Sequence, residues 1–77
     1  MVVKILSFGV LNGLLPTEIT IQNDEIDLDS FQELLKVNYP SIVKHNFSVA
    51  VNHAIVNRNV TLKDGDVIAL MPPFSGG

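Results

Sequence analysis

Val67-Ile68-Ala69-Leu70-Met71-Pro72-Pro73-Phe74-Ser75-Gly76-Gly77 joins two unlike halves. The first half, residues 67–71, is apolar at every position. Strand alternation puts Ile68 and Leu70 on one face and Val67, Ala69 and Met71 on the other. A strand with two apolar faces is normally covered on both sides. The second half cannot continue that strand. Pro72 and Pro73 lack the backbone N–H that a central ladder needs, and they stiffen the exit toward an extended path. Gly76 and Gly77 have no Cβ, so their backbone can enter a slot too narrow for a side chain. At about 3.3 Å per residue, the segment beyond Met71 could carry a terminal carboxylate roughly 20 Å from the body. The division expected is a domain over residues 1–71 and an extended tail over residues 72–77. The tail reads either as a probe whose reactive atom is the terminus itself or as a frayed end.

Working outward, residues 2–8 read as a first strand, with Val3 and Ile5 on one face and Lys4, Leu6 and Phe8 on the other. Gly9 and the pair Asn12-Gly13 supply turn chemistry, and Pro16 closes the connection. Residues 17–22 form a second strand whose Ile19 and Ile21 alternate with polar residues, the pattern of a strand solvated on one side. A polar loop, Asn23-Asp24-Glu25, leads to a helix predicted over residues 30–38. Asp29 or Ser30 can cap it, and Ser30 with Glu33 has the capping-box spacing. Phe31, Leu34 and Leu35 make its apolar stripe, and Pro40 ends it. Residues 47–51 and 54–56 read as strands around a tight Asn52-His53 turn, and Asn57-Arg58-Asn59 reads as a loop. Lys63-Asp64-Gly65-Asp66 is a strong turn signal before the last strand. The order is ββαββ(β) around one helix, an α+β layer of sheet against helix. With the last strand in the middle of a mixed sheet of 4–5 strands, beside the first, this is the β-grasp or ubiquitin-like arrangement. One helix covers one face only, so the other face is expected to meet another protein.

Composition narrows the function classes. The chain has 77 residues, enough for one domain with a marginal core. It has no cysteine, hence no disulfide and no thiolate metal site. Hydrophobic residues make up 47% and charged residues only 17%, which argues against disorder and for a covered apolar surface. The net charge of −3, with five Lys and Arg, gives no footprint for nucleic acid or acidic lipid. No signal peptide or transmembrane span is visible, so the expected location is cytoplasmic. His45 and His53 are isolated and read as surface histidines. Asp64 and Asp66 lack the further oxygens of a calcium loop. Neither a nucleophilic triad nor a phosphate loop can be assembled. The chain is expected to be no enzyme by itself and to bind no cofactor or metal.

Several segments together resemble the small subunit of molybdopterin synthase, the MoaD-type sulfur carriers of the MoaD/ThiS ubiquitin-like family. They are the opening Val3-Lys4-Ile5-Leu6-Ser7-Phe8, Val49-Ala50-Val51-Asn52, the turn Leu62-Lys63-Asp64-Gly65-Asp66, and Ala69-Leu70-Met71 followed by Pro-Pro-x-Ser-Gly-Gly. The resemblance covers essentially the whole chain. It implies chemistry at Gly77. A ubiquitin-activating-like adenylyltransferase would adenylate the terminal carboxylate with ATP, and a sulfur donor protein would provide the sulfur that replaces AMP. The resulting thiocarboxylate would donate sulfur to cyclic pyranopterin monophosphate within a heterotetramer, two carriers and two large subunits. The chain would then be the non-catalytic subunit of a heteromeric sulfurtransferase in molybdenum cofactor biosynthesis. On this reading Gly76 gives clearance, Pro72 and Pro73 pre-extend the tether, and Phe74 anchors it near the mouth of the partner's tunnel, beside Ser75. Leu6, Phe8, Val67, Ala69 and Met71 would form the partner-binding patch. One departure stands out: relatives often carry charged residues after the first strand, whereas residues 10–15 here are apolar apart from Asn12 and Gly13. No function is read into that loop. The alternatives are a sulfur carrier for thiamine or another pathway, a ubiquitin-like protein modifier, and a plain interaction module with an incidental tail.

Overall fold

The computed structural model describes residues 1–73. Seven strands and one α-helix follow in the order β1 (Val2–Ser7), β2 (Glu18–Thr20), β3 (Glu25–Asp27), α1 (Leu28–Asn38), β4 (Ser48–Val51), β5 (Ala54–Val56), β6 (Thr61–Lys63) and β7 (Val67–Met71). Short 3₁₀ turns lie at Gly9–Leu11 and Pro40–Lys44. Five strands form one mixed sheet in the order β2-β1-β7-β4-β5, and β3 and β6 form a separate two-stranded ribbon. This is the β-grasp expected from the element order. The last strand takes the central position beside the first, and the two run parallel with Ile5 opposite Ile68 and Leu6 opposite Ala69.

The faces separate as the alternation requires. Val3, Ile5, Ile68, Leu70 and Val49 point inward and are buried, packed in one cluster with Phe31 and Leu35 of α1. Leu11, Ile21, Leu28, Ile42 and Leu62 complete the core. Asn52 and His53 turn β4 into β5 with φ of +50° and +74°. Both central residues of this two-residue hairpin thus have positive φ, which matches the right-handed twist of the strands.

Four local details differ from the sequence expectation. Glu25 does not belong to a loop but opens β3, where Glu25 pairs with Lys63 and Ile26 with Leu62. One isoleucine between two acids carries no strand signal of its own, so only the partner strand reveals it. The second strand is shorter than predicted, Glu18–Thr20. The helix starts two residues early, and its cap is Asp27, not Asp29 or Ser30. The Ser30–Glu33 capping box therefore does not form; Ser30 donates its backbone N–H to the Asp27 carboxylate at 3.1 Å. Asn59 is more than a loop residue. It donates to Asp27 at 3.1 Å and accepts from the Asp29 backbone N–H at 2.9 Å, so it ties the helix start to the segment before β6.

Hydrogen bonds from the Ser30 side chain, then from its backbone and from the Asn59 side chain, hold the Asp27 pKa below its ordinary value of 3.8. A depressed folded pKa contributes stability that is complete above the unfolded value and is lost as pH falls through the folded one. Asp27→Asn keeps an acceptor but removes the charge. The urea stability of the wild type is therefore expected to exceed that of Asp27→Asn near neutral pH, with the gap closing below about pH 4. A gap that stays constant down to strongly acidic pH would show that the charge contributes nothing.

Candidate functional site

The face of the sheet turned away from α1 is built by register. Leu6 on β1 lies opposite Ala69 on β7, Ala69 opposite Ala50 on β4, and Ala50 opposite Ile55 on β5. Met71 lies opposite Ser48 one step further on, and Phe8 continues β1 past its last residue. The Phe8 N–H donates to the Leu70 carbonyl at 3.1 Å, so the ladder extends one residue beyond Ser7. Leu6 is 42% exposed, Phe8 47% and Ile55 63%. Val67, Ala69 and Met71 are partly exposed. The expected patch residues thus share one surface, and Ile55 extends it to the sheet edge. Ile55 was missed because strand 54–56 is too short and too apolar for alternation to choose its face.

The patch is polarised along the strands. At the start of β1, Lys4 lies between Glu18 of β2 and Val67 of β7. At the other end are Leu6, Phe8, Ala69 and Met71. Because β1 and β7 are parallel, both finish at this apolar end. Pro72 and Pro73 follow β7 there and are exposed. The exit of the chain and the apolar end of the face are therefore neighbours. Phe74, Ser75, Gly76 and Gly77 lie outside the described residues.

Gly9 adds a contact that the sequence did not announce. Its φ is +61°, and a Cβ placed on it would lie 2.6 Å from Cγ of Pro72, 3.4 Å from Cδ and 3.9 Å from Cβ. The Pro72 ring thus sits against a backbone that has no side chain. Leu11, two residues on, is fully buried, which makes the apolar loop a core anchor.

Asp64, Asp66 and Asn52 are engaged in holding turns. The Asp64 carboxylate accepts the Val2 N–H at 2.6 Å. Asp66 accepts from the Lys63 N–H at 2.8 Å and from the Asn52 side chain at 3.0 Å, while Asn52 in turn accepts the Val67 N–H at 3.0 Å. His53 is exposed in its hairpin turn, and His45 is partly exposed after the second 3₁₀ turn. Among the described residues, no three His, Asp or Glu side chains come together as a metal site would need. A groove of about 510 Å³ between α1 and the β4–β5 edge is lined by Gln32, Phe47, Ile55 and Arg58 among others. Asp29 and Ser48 line it too, and Ser48 is the register partner of Met71, the last residue of β7. Among the described residues, no helix is long and apolar enough to cross a membrane.

Comparison with known proteins agrees with this geometry. The sequence model of the ThiS family matches residues 6–77. Among solved structures, the chain resembles one in the protein–protein complex of subunits 1 and 2 of molybdopterin-converting factor from Helicobacter pylori. The TM-score is 0.68 and the identity 29%, over 100% of both chains. It also shares its fold with the thiamine biosynthesis protein ThiS from Geobacter metallireducens, with a TM-score of 0.66 and 21% identity over 100% of both chains. With the family model matching residues 6–77 of this β-grasp body, the chain belongs to the ThiS/MoaD family of small sulfur carriers.

Proposed function

We propose that this chain is the sulfur-carrier subunit of a molybdopterin synthase. The observation that carries this reading is the exposed apolar end of the sheet, Leu6, Phe8, Ala69 and Met71, placed where the Pro72-Pro73 tail begins. A carrier needs both parts side by side. The patch seats the body on a partner, and the tail delivers the acyl end into that partner. The full-length match to a chain from a two-subunit molybdopterin-converting factor supports a large-subunit partner. A heterotetramer of two carriers and two large subunits is the assembly we propose.

The chemistry follows from the weakness of a carboxylate as an electrophile. Its charge is delocalised over two oxygens, so nucleophiles do not displace either. Adenylation of Gly77 by a ubiquitin-activating-like enzyme, using ATP, turns one oxygen into a good leaving group. Sulfur from a donor protein then replaces AMP, and Gly77 becomes a thiocarboxylate. This tethered sulfur nucleophile reacts with cyclic pyranopterin monophosphate inside the large subunit. Gly76 allows the close approach, and Phe74 and Ser75 contact the tunnel walls. Pro72 and Pro73 limit the conformations lost on insertion. The body binds no cofactor and works in the cytoplasm on this reading.

A thiamine-pathway carrier is the second reading, favoured by the ThiS family match itself. Intact mass and product analysis separate the two. After incubation with the activating enzyme, ATP and a sulfur donor, exchange of one oxygen for sulfur is expected to add about 16 Da. The thiocarboxylated chain is expected to yield molybdopterin with the large subunit and precursor, and no thiazole with a thiazole synthase. The reverse product pattern would transfer the chain to the thiamine pathway, and lysine-linked conjugates would mark a protein modifier. Deleting Gly77 is expected to abolish sulfur transfer and leave the fold unchanged, since it lies beyond β7. Molybdopterin formation by the truncated chain would refute the carrier role.

The patch has its own test. Phe8→Asp or Met71→Asp is expected to weaken binding to the large subunit by at least about tenfold, in the range of an interface hot spot. Urea stability should shift by no more than about 0.5–1 kcal/mol, as for substitutions outside the core. Unchanged binding with a large loss of stability would assign these side chains to the core.

A further inference from the structure

Gly9 and Pro72 touch although they stand near opposite ends of the sequence. The site of contact is the root of the tail, and neither residue contributes to the core. Two properties of Gly9 are separable. Its φ of +61° disfavours any L side chain, and a Cβ there would run into Cγ of Pro72 at 2.6 Å, with Cδ at 3.4 Å and Cβ at 3.9 Å in ordinary contact. The ring cannot rotate away as a flexible side chain would, because it is closed onto the backbone. The loop on the other side of the contact is also held. Phe8 donates to Leu70, Asn12 donates to the Gly9 carbonyl at 3.1 Å, and Leu11 is buried. Pro72 is exposed, so it is the member of the pair that can yield.

We propose that Gly9 is a positioning residue for the tail: the gap left by its missing side chain seats the Pro72 ring and sets the direction in which the chain leaves β7. This rests on the carrier reading, because direction matters only if the end of the chain has a target. The leverage is large. The residues beyond Pro72 reach at most about 17 Å when extended, so a tilt of ~10° at the root displaces their end by up to about 3 Å. Misplacement of a reacting group by ~1 Å can already cost up to about a hundredfold in rate.

Gly13 supplies the control within the same loop. Its φ is +87°, yet a Cβ there would meet nothing within 4 Å. Gly9→Ala and Gly13→Ala therefore share the backbone penalty, and only the first disturbs Pro72. The tail can be followed with a nitroxide on Ser75→Cys, since the chain has no cysteine of its own. Gly9→Ala is expected to change the pattern of paramagnetic broadening on the amides of Phe8, Val10 and Met71, and Gly13→Ala to leave it as in the wild type. In unlabelled chains given the activating enzyme, ATP and a sulfur donor, Gly9→Ala is expected to lower kcat/KM for thiocarboxylate formation by at least about tenfold, and Gly13→Ala by less than about twofold. Pro72→Ala opens the same contact from its exposed side without touching the backbone at Gly9, and it keeps the test available if Gly9→Ala does not fold. It is expected to shift the broadening pattern too.

Equal behaviour of Gly9→Ala and Gly13→Ala in both measurements would overturn the proposal. So would a changed broadening pattern with an unchanged rate, or a lowered rate with an unchanged pattern. If the wild type gains no sulfur at all, the carrier reading fails, while the nitroxide measurement still decides whether Gly9 aims the tail.

Discussion

The parallel pairing of β1 with β7 is the constraint on which the rest of the molecule depends. It brings the first and last strands together in the middle of the sheet, with β4 closing the other side of β7. Both strands finish at the same end because they run in the same direction. That end therefore combines the exit of the chain with the side chains that follow Ile5 and Ile68, namely Leu6, Phe8, Ala69 and Met71. An antiparallel pairing would send the chain out at the Lys4 end, beside Glu18 and Thr20. The apolar surface and the tail would then lie at opposite ends of the sheet.

The single helix determines what that pairing can be used for. Phe31 and Leu35 cover the inner face, and the core is complete without the outer one. Phe8 is already half-buried, so covering the rest of it on a partner would gain roughly half of the about 1.5–3 kcal/mol that full burial is worth. The outer face can thus be apolar for association while the body remains folded alone. The division of labour is visible in the polar residues as well. Asp27, Asp64 and Asp66, with Asn52 and Asn59, are engaged by backbone N–H groups and by one another. They stabilise turns and the helix start.

Much of this arrangement was legible in the residues. The strands containing Val3-Lys4-Ile5-Leu6 and Val67-Ile68-Ala69-Leu70 follow from alternation and β-branched content. The helix follows from Phe31, Leu34 and Leu35 with Pro40 beyond, and the hairpin from Asn52-His53. The outer patch was legible too, once both strands were placed side by side, because alternation leaves a side chain only two choices. Two local readings failed. Ser30 and Glu33 have the spacing of a capping box, yet Asp27 is already extended at the end of β3 and takes the cap. Ile55 sits on a strand too short for its face to be inferred.

Local order thus determined by the sequence alone includes where strands alternate, where turns occur and where the helix stops, since each depends on residues within a few positions. Tertiary structure alone decided that Glu25–Asp27 is a strand, that Asn59 secures the start of the helix, and that Pro72 rests on Gly9. Each needs a partner about thirty residues away or more, and hydrogen bonding or van der Waals contact at that separation leaves no periodicity in the chain. The glycine is the clearest case. Its φ could have served any turn, and only the ring packed against it shows why no side chain fits there.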